Sequence, residues 1–247
     1  MFYICGIINQ VNLKIMSFFI ECPIDPELVE ISTQDCAEKY GQIQRFAIRR
    51  KQTGNEASPT FTDAADMLAL ANWEAAREAD LDDNIKMVIT PFVSSFVIPT
   101  GEPIKEEGNN NNTVNGMPIL QGVNNINCTG RFINLPSSIA DEIRALTKHS
   151  AAIPGFTNLE IFLINEFGQV ICKKTTGATP VPYGIPVYNF FIGAKGSEGL
   201  NKESVTPLSF DIKGDWDVNQ HIANPVDDGT PASWNPLTDL DTALPQS

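Results

Sequence analysis

The chain has little positive charge, since 17 Lys and Arg residues stand against 30 Asp and Glu residues and give a formal net charge of -13. A protein that binds nucleic acid neutralises its phosphates with basic side chains. The charge balance therefore argues against specific nucleic-acid binding, although DNA could still slide past such a surface by like-charge repulsion. The plainer interpretation is that the acidic residues keep the protein in solution.

The sequence also lacks the short motifs that indicate a reaction. It contains no Gly-x-Gly-x-x-Gly, no P-loop and no Gly-x-Ser-x-Gly. Its only histidines are His149, at a predicted helix end, and His221, near Asp215, Asp217 and Asp227. We interpret these three acids as a solvated turn, because their spacing lacks the ligand rhythm and the glycine of a calcium loop.

We therefore expect a non-enzymatic protein with no catalytic residue, no cofactor and no metal. An enzyme whose carboxylates, or whose Cys–His pair, meet only in the fold is the alternative that spacing does not exclude. The five cysteines are scattered, odd in number and form no Cys-x-x-Cys pair. They are typical of free or buried thiols in a reducing compartment.

Long apolar runs are absent as well. Residues 1–20 are mostly apolar, but Asn9, Gln10, Asn12 and Lys14 interrupt them. The runs are too short for a membrane span, and the segment is a poor fit to a signal peptide. We expect residues 1–35 to be an N-terminal extension or strand-forming arm, with residues 1–15 an over-extended reading frame if Met16 is the start, and we expect no membrane association.

What the sequence does contain is a series of strand patterns. Residues 43–50 alternate apolar and polar side chains with the period of a half-buried strand. Arg45 and Arg49 share one face of this strand and belong to a local basic cluster. That face is either simply solvated or a pairing surface for an acidic neighbouring subunit.

Two segments have the pattern of helices, and the other segments with a regular pattern have that of β-strands. Residues 62–79 and 138–149 predict helices, with capping residues at their starts. Short strands are predicted over residues 86–92, 95–98, 118–122, 130–134, 159–164, 170–173, 187–192 and 208–212. This pattern predicts a mainly β (α+β) fold, an antiparallel β-sandwich or barrel with two flanking helices and a long polar loop.

The expected domain covers residues 36–213, followed by an acidic tail, residues 214–247, that packs on the body or on a neighbour. Trp73 fits the core. Trp216 and Trp234 lie in the tail, where exposure would be costly, so we expect both to be buried against the body or a partner. If both instead lined a concave face, the protein would be a carbohydrate-binding β-sandwich.

The long polar loop, residues 100–116, is the most distinctive feature. An insertion of this length without structure is uncommon in a compact domain and is usually functional or mobile. We interpret it as an interaction arm, with these candidate contact residues: Gly101, Glu102, Pro103, Glu106, Glu107, Asn109, Asn110, Asn111 and Asn112.

Four strings carry a resemblance to a known class of proteins. They are Gly-Gln-Ile-Gln-Arg at residues 41–45, Pro-Thr-Gly-Glu-Pro at 99–103, Asn-Glu-Phe-Gly-Gln at 165–169 and Asn-Pro-Leu-Thr-Asp-Leu at 235–240. From about Cys36 onward the chain resembles virion structural proteins of tailed phages that infect Bacteroidetes-type bacteria. The strings contain no catalytic motif.

The resemblance implies a tail-tube protein, a β-sandwich or barrel with a flanking helix that stacks as rings and is made in the bacterial host cytoplasm. Its partners would be further copies of the chain and other virion proteins. The loop at residues 100–116 would reach the next ring, and an acidic lumen would let DNA pass. A head decoration or connector protein is the alternative within the virion.

Overall fold

The computed structural model describes residues 40–51, 61–80, 85–106, 118–150, 159–176, 178–197, 199, 202–227 and 233–240. These residues belong to one unit that begins at Tyr40. The expected N-terminal arm, residues 1–35, lies outside the described residues, as does the predicted domain boundary at residue 36.

The strands and helices follow in chain order. The elements are β1 (Ile43–Arg50), α1 (Leu70–Glu78), β2 (Met87–Ile89), β3 (Ser94–Val97), β4 (Pro103–Glu106), β5 (Ile119–Val123), β6 (Ile126–Ile133), α2 (Ser137–Ser150), β7 (Leu159–Asn165), β8 (Val170–Lys174), β9 (Pro182–Tyr183), β10 (Ile185–Ile192), β11 (Gly196–Ser197), β12 (Ser204–Ile212) and β13 (Gln220–Ala223). Short 3₁₀ turns occupy Asp66–Leu68 and Pro225–Asp227. The predicted fold class is confirmed, because the described residues are mainly β with antiparallel pairing and two α-helices.

The main sheet curves into a barrel. β1 pairs with β7, β7 with β10, β10 with β12, β12 with β6, and β6 with β3, all antiparallel. The chain between β2 and β3 then returns to β1, where Thr90 N donates to Phe46 O at 2.8 Å and Val93 N to Gln44 O at 2.7 Å. These bonds close a circuit of strands, and a closed circuit has no edges of the kind that an open sheet presents. β8 and β13 lie outside this circuit and extend the sheet from β7.

Two hydrophobic clusters lie on opposite sides of this sheet. The barrel interior contains alternate residues of β7, Leu159, Ile161 and Leu163, together with apolar residues of β6, β10, β12 and α2. The intervening residues Phe162 and Ile164 face outward into a second cluster. Every residue of β7 is therefore buried, although the strand alternates between two different environments.

A cover formed by residues 61–80 and 233–240 buries the outer cluster. Trp73 packs against Phe162 and Trp234, with ring centroids 5.6 and 6.0 Å apart. Trp73 Nε1 donates to Met67 O at 2.9 Å, and Trp234 Nε1 donates to Leu68 O at 2.7 Å. Each indole therefore has its polar atom satisfied while its rings are removed from water.

The first helix is shorter than the sequence predicts. The prediction of one helix over residues 62–79 is wrong in its first turns, where Thr62 N and Oγ1 both donate to the Asp66 carboxylate. Ala69 is extended, with φ -90° and ψ 110°, so the 3₁₀ turn and α1 are separate elements. Within the described part of the chain, neither helix has the length and hydrophobicity of a membrane span.

The predicted strands and the β7–β8 hairpin are present, including Gly168 at a left-handed φ of 73°. The tail starting at residue 214 was not expected to contain a strand, yet β13 lies in it and pairs with β8. Cys128 lies in the barrel interior and Cys172 beneath the cover, and both are free thiols. Burial raises the pKa of Cys128 to about 12.

Candidate functional site: the hairpin arm and the groove at its base

The expected polar loop is in part a β-hairpin. β4 and β5 pair with each other and form a two-stranded sheet separate from the main sheet. The prediction of a structureless segment from residue 100 is therefore wrong for residues 103–106. We name the unit formed by residues 102–106 and 118–124 the hairpin arm.

The candidate contact residues of the loop are divided between the arm and the undescribed segment. Pro103 and Glu106 are the first and last residues of β4, and Gly101 and Glu102 lead into it. The remaining candidates lie outside the described residues: Glu107, Asn109, Asn110, Asn111 and Asn112. The arm also contains apolar residues that the loop hypothesis did not include, those of β5.

The hairpin arm exposes large apolar side chains. Ile104, Ile119, Leu120 and Val123 are 39, 43, 64 and 45% exposed. A two-stranded hairpin alone is at best marginally stable in water, and three strands or a packed face are needed for independent stability. The exposed apolar residues on both strands thus identify the arm as a surface suited to contact with another protein.

The base of the arm is packed tightly against the barrel. A Cβ placed on Gly101 would lie 2.6 Å from Val123 Cγ1, and one on Gly214 would lie 2.6 Å from both Val123 Cγ1 and Asn124 O. Contacts that close are not tolerated, so both positions require glycine. The arm therefore leaves the barrel at a fixed place, between residue 101 and the turn that begins at residue 214.

A groove of about 430 Å³ opens beside this base. The rings of Tyr40 and Trp216, 6.0 Å apart and tilted by 48°, contribute to its wall. Tyr40 Oη donates to Gln220 Oε1 at 2.7 Å, which links the groove to β13. Other residues of the wall are Gln42, Phe96, Thr100 and Asp217. The groove combines aromatic rings with polar groups, the mixture typical of small-ligand sites.

The structure gives the two tryptophans of the tail different environments. Trp234 is 4% exposed and belongs to the cover, whereas Trp216 is half-buried and lines the groove. The alternative in which Trp216 and Trp234 line one concave face is therefore wrong. Tyr40 is the aromatic partner of Trp216, and the distance of 176 residues between them left no local signal to find it.

Arg45 and Arg49 share a face of β1, as the alternation predicts, but both are buried, each at 3% exposure. Arg45 Nε donates to Thr90 O at 2.9 Å and its Nη1 to Leu237 O at 2.8 Å, while its guanidinium lies 4.8 Å from the Phe92 ring centroid. The expected pairing surface for an acidic neighbour is corrected, because a neighbouring subunit cannot reach these groups.

Arg49 forms a buried ion pair with Glu160 on β7. Its guanidinium also lies 5.7 Å from the Phe162 ring centroid. Burial raises the pKa of Glu160, while Arg49 and the backbone N–H of Gly184 favour its charged form. The acidic partner of Arg49 is thus a residue of the same chain rather than of a neighbouring subunit.

The acidic turn near His221 contains Asp215 and Asp217, and Asp227 follows β13. His221 lies in β13, and burial together with Lys174 lowers its pKa. In the part of the chain that the structure describes, no group of three or more His, Cys, Asp or Glu residues could hold a metal ion.

No protein-family description, no curated protein and no solved structure matches the chain.

Proposed function

We propose that the protein is a non-enzymatic structural subunit of a phage virion, of the tail-tube type, which assembles with further copies of itself through the hairpin arm. The observation that carries the proposal is the arm itself, a two-stranded sheet that leaves the barrel with Ile104, Ile119, Leu120 and Val123 exposed. The virion setting rests on the sequence resemblance described above. A head decoration or connector protein would use the same surface.

Two features of the barrel suit a repeating subunit. The strands β1, β7, β10, β12, β6 and β3 close on themselves, so this circuit does not present a long open sheet edge that would aggregate without order. The arm is fixed at its base by Gly101 and Gly214, so each copy presents its contact residues in the same direction. Identical contacts repeated by rotation generate rings or helical filaments.

The test is negative-stain electron microscopy combined with sedimentation velocity, over a range of protein concentrations. The wild-type chain is expected to form rings or tubes with a central hole. A variant with Ile119→Asp and Leu120→Asp should remain monomeric, because two carboxylates cannot be buried without partners at the interface. Its circular dichroism should match that of the wild type, since both side chains are exposed.

The matched control is Phe191→Asp, which also places a carboxylate at an exposed apolar position, 54% exposed, on β10 and outside the arm. It should assemble as the wild type does. Wild-type monomers at every concentration, or equal loss of assembly in the control and the arm variant, would contradict the proposal.

A second candidate function is carbohydrate binding in the groove, favoured by the Tyr40–Trp216 pair. Aromatic faces in a groove with polar groups nearby can stack on sugar rings and bond to hydroxyls. A glycan array should then show binding that Trp216→Ala removes and Ile119→Asp leaves intact. Binding to no glycan would rule this candidate out.

A further inference from the structure

The groove beside the arm lies at one end of the barrel, and α2 lies at the other. Ile126, the first residue of β6, lines the groove, whereas Ile133, the last residue of the same strand, is soon followed by α2. Ile43, the first residue of β1, also lines the groove. Ala140 and Ile143 of α2 pack into the barrel interior, so the helix fills one end of the barrel and the groove opens at the other.

The floor of the groove is apolar. Ile43, Ile126, Leu163 and Ile171 line it and belong to the cluster inside the barrel, and each is at most 6% exposed. A ligand that rests on this floor removes apolar surface from water, which favours binding. A sugar presents hydroxyl groups over most of its surface, and those that met this floor would lose water without gaining a hydrogen-bond partner. The floor therefore favours a ligand with an apolar body.

Two aromatic rings contribute to the wall of the groove. The ring centroids of Tyr40 and Trp216 are 6.0 Å apart and the rings are tilted by 48°. The hydrogen bond from Tyr40 Oη to Gln220 Oε1 and the packing of Trp216 against the barrel interior hold both rings in place. The faces of Trp and Tyr rings attract ammonium groups electrostatically, and this attraction grows as the groups are removed from water.

The charge of the groove is negative. Asp217 is the one charged residue among the described residues that line it. Asp217 takes part in none of the ion pairs that join described residues. Lys173 bonds to the same turn through Asp215 O, but it does not line the groove. The wall is therefore complementary to a cation and repels an anion, and the formal net charge of -13 acts in the same direction.

We propose that the groove binds a small organic cation, an ammonium group attached to an aromatic or aliphatic body. The body rests on the apolar floor, and the ammonium group lies against the rings of Tyr40 and Trp216, near the carboxylate of Asp217. The groove volume of about 430 Å³ is within the range of small-molecule sites. Cation binding is independent of assembly through the hairpin arm, and it is an alternative to the sugar of the second candidate function.

The first test is isothermal titration calorimetry of the full chain with probes that differ in charge. Three of them share a phenyl ring: the cation benzyltrimethylammonium, the neutral benzyl alcohol and the anion phenylacetate. The fourth is maltose, a sugar. The cation is expected to bind more tightly than benzyl alcohol by about tenfold, because only the cation gains from the rings and the carboxylate. Phenylacetate and maltose should show no binding.

The second test compares two acids of the same turn. Asp217→Asn removes the carboxylate of the groove wall, and Asp215→Asn is the matched control, since Asp215 is also exposed but does not line the groove. Both variants change the net charge by the same amount. Asp217→Asn should weaken binding of benzyltrimethylammonium by about threefold, and Asp215→Asn should leave it unchanged. Because both side chains are exposed, both variants should give the circular dichroism of the wild type.

The aromatic wall is tested by Trp216→Ala and Trp216→Phe. Loss of the indole should lower the affinity for benzyltrimethylammonium by about tenfold, and phenylalanine should restore part of it, because a smaller ring face remains. If Trp216→Ala does not fold, Trp216→Phe and the two aspartate variants still decide the outcome.

Four results would overturn the proposal. They are no binding of benzyltrimethylammonium, equal affinity for this cation and for benzyl alcohol, equal effects of Asp215→Asn and Asp217→Asn, and binding of maltose in preference to the cation. The last result would favour the carbohydrate candidate instead. Assembly is measured separately by sedimentation velocity, so failure of cation binding is distinguishable from failure of the proposed function.

Discussion

The cover and the hairpin arm both place apolar residues on the outside of a β-sheet, with opposite results. Under the cover, Trp73 and Phe162 are fully buried and the indole N–H groups of Trp73 and Trp234 have acceptors within the chain. In the arm, Leu120 is 64% exposed and the sheet has only two strands. The first surface is completed by other segments of the same chain, whereas the second stays exposed in the described residues.

Charged residues also differ between the buried part of the protomer and the arm, since they are paired and buried in the first and exposed in the second. Arg49 and Glu160 form a buried pair, at about 3% exposure each. Lys105 of the arm is an exposed residue. Substitutions under the cover should therefore change the free energy of unfolding, and substitutions in the arm should change assembly while leaving that free energy nearly constant.

The largest expected effect is that of Trp73→Ala. The substitution removes a fully buried ring that contacts Phe61, Phe162 and Trp234, and the cavity cannot be refilled without moving the cover. We expect the free energy of unfolding to fall by about 3–5 kcal/mol, measured by urea denaturation at a concentration where the protein is monomeric. Phe191→Ala on the exposed face of β10 is the control and should cost far less. Equal losses of unfolding free energy in the two variants would show that the ring of Trp73 is no more important for stability than the exposed ring of Phe191.

Arg49→Ala should have the next largest effect. Removing one member of a buried ion pair leaves the other without compensation, which costs about 3–5 kcal/mol. We expect a value near the lower limit, because Glu160 can take up a proton. The control is Arg77→Ala, which breaks the exposed Arg77–Glu78 pair and should cost about 1 kcal/mol or less.

The cost of Arg49→Ala should also depend on pH. The pKa of Glu160 in the folded protein is raised above its ordinary value of 4.5. At pH values between 4.5 and the higher pKa of the folded state, Glu160 holds a proton in the folded state that it has released in the unfolded state. The free energy of unfolding therefore falls as the pH rises through this range. Without Arg49 the pKa rises further, and the destabilisation should be larger at pH 8 than at pH 5. A cost that is the same at both pH values would show that Glu160 is not the group responsible.

Local patterns predicted the regular elements of the barrel well. The alternation over residues 43–50 coincides with β1, and the turn residues at 165–169 correctly placed the β7–β8 hairpin. The break at Ala69 was not predicted, because it depends on the Asp66 side chain accepting bonds from Thr62 in competition with the helix. The alternation in β1 likewise predicted that Arg45 and Arg49 share a face, but burial of that face depends on residues distant in sequence, such as Leu237 and Glu160.

The smallest expected effect on stability is that of Leu120→Ser. The side chain is largely exposed, so the free energy of unfolding of the monomer should change by no more than about 0.5 kcal/mol. Sedimentation velocity should nevertheless show weaker assembly, because the same side chain is buried in the proposed interface. A large loss of monomer stability would mean that Leu120 supports the fold of its own chain.

The candidate site was predictable only in outline. Length and polarity identified residues 100–116 as unusual, and Pro103 was among the expected contact residues. No local pattern joins residues 103–106 to residues 119–123, since pairing across a gap of twelve residues has no local signal. The groove was less predictable still, because Tyr40 and Trp216 meet only after the turn at residues 214–219 packs on the base of the arm.

Cys128 and Cys172, the two buried thiols among the described residues, are independent chemical probes of the two layers of the molecule. Burial raises the pKa values of Cys128 and Cys172, so neither forms a reactive thiolate until its surroundings open. Cys128 reports on the barrel interior and Cys172 on the space beneath the cover. Their separate rates of alkylation therefore reveal whether the cover can lift from the sheet while the barrel stays closed.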